Sequence, residues 1–328
     1  MKILVRLPNW LGDVVMSTAF VHSLRQTYPD AQLDIIIKKE LGGIAELIPG
    51  LNHIHLFSKK DFSGLSGVYR FGENLRPEKY DLFFCLPDSL SSAIMGWATG
   101  AKKRIGFGKE GRFFLLTNNY KKPANLHRVD EYLALLEQFS HKKVEERKVG
   151  LEIKENVKKD DVVVLSFNSE AISRRMPIDK GRSLVNTLTR TFRTTRFALV
   201  GSPKEKEYVD ELLVDAGHSN RLDNYAGQTN LSELCRLMGT AKAVLTTDSG
   251  PAHLANALGV PTVVLFGAGD ENNTAPYNKE HLNVIRAGKL DCEPCVRNTC
   301  KLYGIPKCMQ LIDEIAIINA LNFYLKHA

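Results

Sequence analysis

The 328-residue chain is 44% hydrophobic and 25% charged, which excludes disordered and fibrous classes and gives room for about two domains. Its 44 Lys and Arg against 37 Asp and Glu leave a net charge of +7, compatible with an acidic substrate, nucleic acid, a lipid surface or solubility alone. No apolar run approaches the roughly 18 residues of a membrane span, so a cytosolic protein is expected, with its six cysteines as thiols or metal ligands rather than disulfides.

Short β-branched runs alternate with helical periodicity from end to end, the pattern of an α/β protein with parallel sheets covered on both faces. In the first half, strands are expected at 2–6, 33–38, 54–57, 80–86 and 104–107, with helices between them. The first helix, 13–27, turns Val14, Val15, Ala19, Val21 and Leu24 to the sheet and ends before Pro29, and a last one covers 128–139. Residues 141–161 are rich in Lys, Glu and Asp and read as a linker. The pattern then restarts, with strands at 161–167, 197–201, 243–247 and 261–266 and helices near 179–192, 204–216, 230–238, 251–258 and 309–326. Two βα halves imply a cleft between strand edges, where open α/β sheets bind ligands.

The charge is unevenly spread. Residues 1–150 carry 22 basic and 16 acidic side chains, residues 151–328 carry 22 and 21, and residues 102–128 alone hold eight cations against Glu110. A solvated face and an anion-binding surface are both compatible with that window.

Strand ends supply the candidate sites. The first strand runs through Leu7-Pro8-Asn9-Trp10-Leu11-Gly12-Asp13; a dinucleotide turn would carry G-x-G-x-x-G, and only Gly12 is present, which disfavours a dehydrogenase. Asp13 is either a helix cap or a general base at the sheet edge. Asp248-Ser249-Gly250-Pro251-Ala252-His253 opens a helix with Pro at its first position, a receptor for phosphate or a capped turn without ligand. Gly201-Ser202-Pro203-Lys204-Glu205 and Gly267-Ala268-Gly269-Asp270 repeat that logic, and Arg174 and Arg175 could fork a diphosphate. Cys292, Cys295, Cys300 and Cys308, spaced C-x2-C-x4-C-x7-C, are candidate ligands of a structural zinc, although a zinc ribbon would space its pairs farther apart.

Taken together, these segments resemble the bacterial ADP-heptose:lipopolysaccharide heptosyltransferases, closest to the heptosyltransferase II type. The resemblance rests on Leu11-Gly12-Asp13-Val14, Leu86-Pro87-Asp88-Ser89, Arg104-Ile105-Gly106, Glu131-Tyr132-Leu133-Ala134-Leu135, the Asp248–His253 motif and the Cys-rich end. It implies a glycosyltransferase B fold. An acceptor-binding Rossmann-like domain would span 1–155, an ADP-sugar-binding one 156–308, and a final helix, 309–328, would pack back on the first domain.

By position, the resemblance makes Asp13 the catalytic base and Arg174, Arg175, Glu205, Thr229, Asp248, Ser249, Gly250 and His253 donor contacts. The chain departs from the family pattern at Arg174-Arg175-Met176-Pro177, where the family commonly has Lys, a basic or polar residue, Trp and Pro.

The expected activity is an inverting transfer of heptose from ADP-heptose to heptosyl-Kdo-lipid A, with no metal required for catalysis. Lys102, Lys103, Arg104, Lys109 and Arg112 would meet the anionic acceptor at the cytoplasmic face of the inner membrane. A monomer is expected and a nucleic-acid partner is not, since no interleaved aromatic stack accompanies the basic window. Open alternatives are transfer to another core position, a different nucleotide sugar, or an ADP-binding regulator that would have no need of Asp13.

Overall fold

The structure, a computed structural model, describes residues 1–153, 159–214 and 220–327. They form two compact units, 1–152 and 153–328. The expected linker's residues 154–158, and 215–216 at the end of the helix expected at 204–216, lie outside the described residues.

The first unit runs β1 (Lys2–Arg6), α1 (Leu11–Met16), α2 (Thr18–Thr27), β2 (Gln32–Lys38), α3 (Gly42–Ala45), β3 (Ile54–Phe57), α4 (Gly64–Asn74), β4 (Leu82–Cys85), α5 (Leu90–Ala98), β5 (Lys103–Phe107), β6 (Asn118–Tyr120) and α6 (Arg128–Ser140). Its parallel sheet has the order β3-β2-β1-β4-β5-β6. Ile3, Leu4, Val5, Phe83 and Phe84 are almost wholly buried, because strands covered by helices on both faces lose all their apolar surface to the core. The order reverses between β1 and β4, so the loops after those two strands meet at the switch point where such sheets bind ligands. Asp13 follows one strand and Asp88 the other.

The single helix expected at 13–27 is two. Ser17 Oγ donates back to Val14 O at 2.7 Å and Thr18 Oγ1 to Val15 O at 2.8 Å; hydroxyls bonding to carbonyls three residues back accompany the break.

The second unit runs β7 (Asp160–Ser166), α7 (Ile178–Thr191), β8 (Arg196–Leu199), α8 (Lys206–Leu213), β9 (Leu222–Asn224), α9 (Leu231–Thr240), β10 (Ala241–Thr247), α10 (Gly250–Ala257), β11 (Thr262–Phe266), α11 (Glu271–Thr274), β12 (Leu282–Arg286), α12 (Lys307–Gln310) and α13 (Glu314–His327). Its parallel sheet, β12-β11-β10-β7-β8-β9, repeats the first in plan. Here the switch point lies between β7 and β10, which brings the loop carrying Arg174 to the loop carrying Asp248.

Two expectations are corrected here. The helix at 309–326 is interrupted: Asp313 Oδ1 accepts from Ile315 N at 3.0 Å, a local bond that starts α13 afresh after α12. The final helix was expected on the first domain, but α13 is built into the second. Ile317, Ala320 and Leu321 enter the core of that unit, and Lys180 Nζ on α7 pairs with Glu314 Oε1 at 2.8 Å. The apolar stripe of α13 finds its partner on the sheet immediately preceding it in the chain.

Candidate functional site

In the first unit an alternating chain of charges forms beyond the ends of β1 and β4. Arg112 Nη2 lies 3.4 Å from Asp88 Oδ1, and Lys122 Nζ bridges Asp88 Oδ2 at 2.9 Å and Glu131 Oε2 at 3.0 Å. Arg128 continues it, with Nη1 2.6 Å from Glu131 Oε2 and Nε 3.6 Å from Asp13 Oδ1. Tyr132 Oη donates to the same Asp13 oxygen at 3.3 Å.

Asp13 is the terminal member of that chain, with Arg128 as its ion-pair partner at 3.6 Å and Tyr132 as its hydrogen-bond donor. Burial pushes its carboxyl above the ordinary carboxylate range, while Arg128 and the Tyr132 hydrogen bond pull in the opposite direction. Burial outweighs them, leaving a carboxylate more basic than a surface aspartate. Burial also holds the Tyr132 phenol well above its usual range, so it remains a donor. Asp13 is not a side-chain cap of α1, whose preceding residue Trp10 makes no capping bond either.

In the second unit the residues after β7 and β10 form a separate site. Arg174 Nη1 stands 3.1 Å from Asp248 Oδ2, and the Asp248 side chain is 3% exposed. Burial raises the Asp248 carboxyl to about 6, against the pull of Arg174 and Arg286. Neither Arg174 Nε nor Asp248 Oδ2 makes a hydrogen bond, although both atoms are buried. Such groups are costly without a partner, so the pair is suited to a polar ligand that completes it. Gly269 lies against Asp248: a Cβ there would fall 1.9 Å from Asp248 Oδ2. Ser249 precedes α10, with Gly250 and Pro251 in the first turn and His253 buried within it. The positive end of that helix is thus set beside Asp248.

The sequence pattern of glycosyltransferase family 9 (heptosyltransferase) matches residues 68–305, well over half of the chain. The chain belongs to glycosyltransferase family 9. It is 26% identical to lipooligosaccharide heptosyltransferase 2 of Campylobacter jejuni, over 100% of this chain and 99% of that protein. It is 27% identical to lipopolysaccharide heptosyltransferase 2 of Escherichia coli, over 87% and 88% of the two. The structure of E. coli ADP-heptose lps heptosyltransferase II superposes with a TM-score of 0.83 at 23% identity, covering 100% and 99% of the two chains. As a member of family 9 the protein is a glycosyltransferase, with the glycosyltransferase B fold that the sequence leads one to expect.

The remaining candidate residues of this family-9 chain divide. Glu205 Oε2 accepts from Ser202 N at 2.8 Å in a capping box. Thr229 precedes the Asn230 cap of α9, and Gly227 N donates to Gly201 O at 2.8 Å, joining the turns after β8 and β9. Arg175 donates to Ser169 O at 3.0 Å and lies 5.0 Å from the centre of the Tyr208 ring, contacts that hold its own loop.

The basic window also changes character. Arg112 was expected to meet an acceptor, yet it is 0% exposed, donating to Phe107 O at 2.9 Å, Ser89 O at 3.3 Å and Pro87 O. Arg104 donates to Leu115 O at 2.8 Å and Ala101 O at 3.0 Å. Lys102, Lys103 and Lys109 are exposed, with Lys102 Nζ 2.7 Å from Asp81 and Lys103 Nζ over the Phe139 ring.

Cys292, Cys295, Cys300 and Cys308 line one small cavity with Glu293. Among the described residues no set of three or more His, Cys, Asp or Glu side chains is arranged to hold a metal ion. What the cysteine-rich segment does is brace the loop that carries Arg174 and the turn after β11. Ser173 N donates to Asn298 O at 3.1 Å, Ser173 Oγ to Arg297 O, and Val296 N to Ala268 O at 2.8 Å.

Sequence reasoning missed Arg128 and Tyr132 as partners of Asp13, and Arg286, whose guanidinium holds the turn after β11 through Gly267 O, Gly269 O and Glu271. The signal for Arg286 was an arginine closing a β-branched run; for the other two none exists without the fold.

Proposed function

We propose that this transferase moves a heptose from ADP-heptose to the inner core of lipopolysaccharide, on heptosyl-Kdo-lipid A, with inversion at the anomeric carbon and Asp13 as general base. The observation that carries the reading is the place of Asp13 after β1 at the end of the charge chain, with Arg128 Nε at 3.6 Å and Tyr132 Oη at 3.3 Å, in a chain of family 9. Support for the donor comes from the related E. coli heptosyltransferase solved with ADP-2-deoxy-2-fluoro heptose and from the incompletely bonded Arg174–Asp248 pair.

In this mechanism Asp13 takes the proton of an acceptor hydroxyl as its oxygen bonds to the anomeric carbon. The bond from that carbon to ADP breaks, and the electron pair leaves with the diphosphate. Arg174 and the start of α10 receive the developing charge, and donors oriented in advance of the reaction are often the largest catalytic contribution. No metal ion is required in this scheme. Ser249, Gly250 and His253 line the same helix end, and Glu205 and Thr229 are assigned to the nucleotide side.

The test is product analysis with ADP-heptose and other nucleotide sugars, offered with defined truncated core acceptors. One inverted heptose added to heptosyl-Kdo-lipid A is expected. A product at another core position or from another sugar would reassign the substrate, and ADP binding without product from any sugar would favour a regulator.

Replacing Tyr132 by Phe removes a hydrogen bond that favours the Asp13 carboxylate, so the acid limb of the kcat/KM profile should move to higher pH. An unmoved limb would separate Tyr132 from the base.

The acceptor reading places the protein as a monomer at the cytoplasmic face of the inner membrane; among the described residues no helix is long and apolar enough to cross one. Lys102, Lys103 and Lys109 are then the cations to reverse, because Arg104 and Arg112 hold up the fold. Their triple change to Glu should raise acceptor KM by about tenfold or more at low salt and by less at high salt, since each exposed cation near an anionic surface contributes about 1 kcal/mol. Unchanged acceptor kinetics at low salt would return these lysines to a role in solvation.

A further inference from the structure

Arg128, Glu131 and Tyr132 stand at helical spacings of three and four, so they share one face of α6. The helix packs on α1 and α2. Arg128 and Tyr132 both reach Asp13, and Lys122 meets Glu131 from the segment before α6. One guanidinium, that of Arg128, thus serves two acids, Asp13 and Glu131.

The sharing is unequal. Glu131 Oε2 takes Arg128 Nη1 at 2.6 Å, whereas Asp13 Oδ1 is left with Nε at 3.6 Å, an atom that is buried and makes no hydrogen bond. Glu131 is also fixed where it stands. Lys122 Nζ holds the same Oε2 at 3.0 Å, and Asp88, on the other side of Lys122, is paired with fully buried Arg112. The Glu131 side chain is 10% exposed against 27% for Asp13, so the better enclosed acid has the shorter ion pair and the second cation.

This division matters for a base. A guanidinium closed on a carboxylate as a two-toothed fork favours its ionised form and makes it a poorer proton acceptor. Arg128 already reaches both acids, and a small shift of its side chain would carry the fork from Glu131 to Asp13.

We propose that Glu131 is a positioning residue for the transfer: by keeping Arg128 on its own carboxylate it stops the guanidinium from closing on Asp13, which stays able to take the acceptor proton. The inference rests on the proposed base role of Asp13 for its purpose. The charged and titratable groups that bear on Asp13 are Arg128, Glu131 and Tyr132 of α6 and Lys122 before it. Glu131→Gln removes a negative charge from that set and releases Arg128 towards Asp13. Both changes favour the ionised Asp13 carboxyl, so their signs agree. A Glu131 that only suited the positive end of α6, in whose first turn it lies, would alter melting and leave the titration of Asp13 where it was.

The experiment follows the Asp13 carboxyl by carbon NMR in full chains isotopically labelled at aspartate Cγ, with Asp13→Asn identifying its signal. The acid limb of the kcat/KM profile is measured in parallel. Glu131→Gln should move both to lower pH by about one pH unit and lower kcat near neutrality by about tenfold at most, the loss for a base weaker by that amount. In an Arg128→Met background the same change should move the carboxyl by less than about half as much, because the guanidinium it would release is gone. Glu131→Asp keeps the charge but withdraws it by one methylene, so its Asp13 carboxyl should titrate between those of wild type and the Gln variant; it stands in for Gln if that chain does not fold. An Asp13 carboxyl unmoved or raised in these variants would overturn the proposal. So would an equal shift with and without Arg128, since Glu131 would then act through its own charge alone. The NMR reading needs no turnover. If Asp13→Asn stays active while Glu131→Gln moves the carboxyl, the base reading falls and the hold of Glu131 on Arg128 stands; an inactive Asp13→Asn with an unmoved carboxyl in Glu131→Gln means the reverse.

Discussion

Asp13→Asn is expected to abolish turnover while leaving ADP affinity at the wild-type value. Asparagine keeps the shape of the side chain and still offers an oxygen to Tyr132, but it cannot take a proton. General-base assistance is worth about 10² to 10⁴-fold, and the carboxyl it would supply here is one whose basicity burial has already raised. Calorimetry with ADP and a product assay on the same preparation check the two halves of the statement. A variant that keeps more than about a tenth of the wild-type rate would remove Asp13 from the base role.

The second large effect is expected from Arg174→Ala. Its partner Asp248 is buried, and taking one member from such a pair leaves an uncompensated charge that costs about 3 kcal/mol or more when fully enclosed; Arg174 is a quarter exposed, which lowers that figure. The cost should depend on pH in a definite direction. A carboxyl raised from 3.8 to about 6 contributes stability that is complete below the lower value and lost as pH rises through the upper one. Without Arg174 the carboxyl moves higher still, so the variant should melt well below wild type at about pH 7.5 and approach it at about pH 5, where Asp248 is protonated. ADP affinity should fall by about tenfold to a hundredfold, the range for a lost hydrogen bond to a charged group. An equal melting deficit at both pH values would mean that the ion pair is not the source of the loss.

The central strands were legible because parallel strands covered on both faces are continuous apolar runs, as Val162 to Leu165 and Val263 to Phe266 show. Apart from Ile54–Phe57, the edge strands were not. Asn118–Tyr120 and Leu222–Asn224 pair on one side only and carry no apolar run to announce them. Asp13 and Asp248 could be read from their places after strands and at helix starts. Their partners could not: Tyr132 reaches Asp13 across 119 residues of sequence, and no local pattern encodes that approach. The basic window misled for a related reason, since composition counts charges without saying which are consumed. Arg104 and Arg112 spend donors on backbone carbonyls, whereas Lys122 and Arg128 pair with buried Glu131.

The bracing of Arg174 by the cysteine-rich loop has a consequence for biosynthesis. The loop that carries Arg174 is completed by Arg297 and Asn298, with Ser173 and Arg297 124 positions apart, and the second core closes only with Ile317 and Leu321 of α13. A nascent chain with its last segments still inside the ribosome therefore holds the first unit whole and the Arg174 loop unfinished. Acquisition of nucleotide binding should be among the last events of synthesis, after the whole chain has left the exit tunnel.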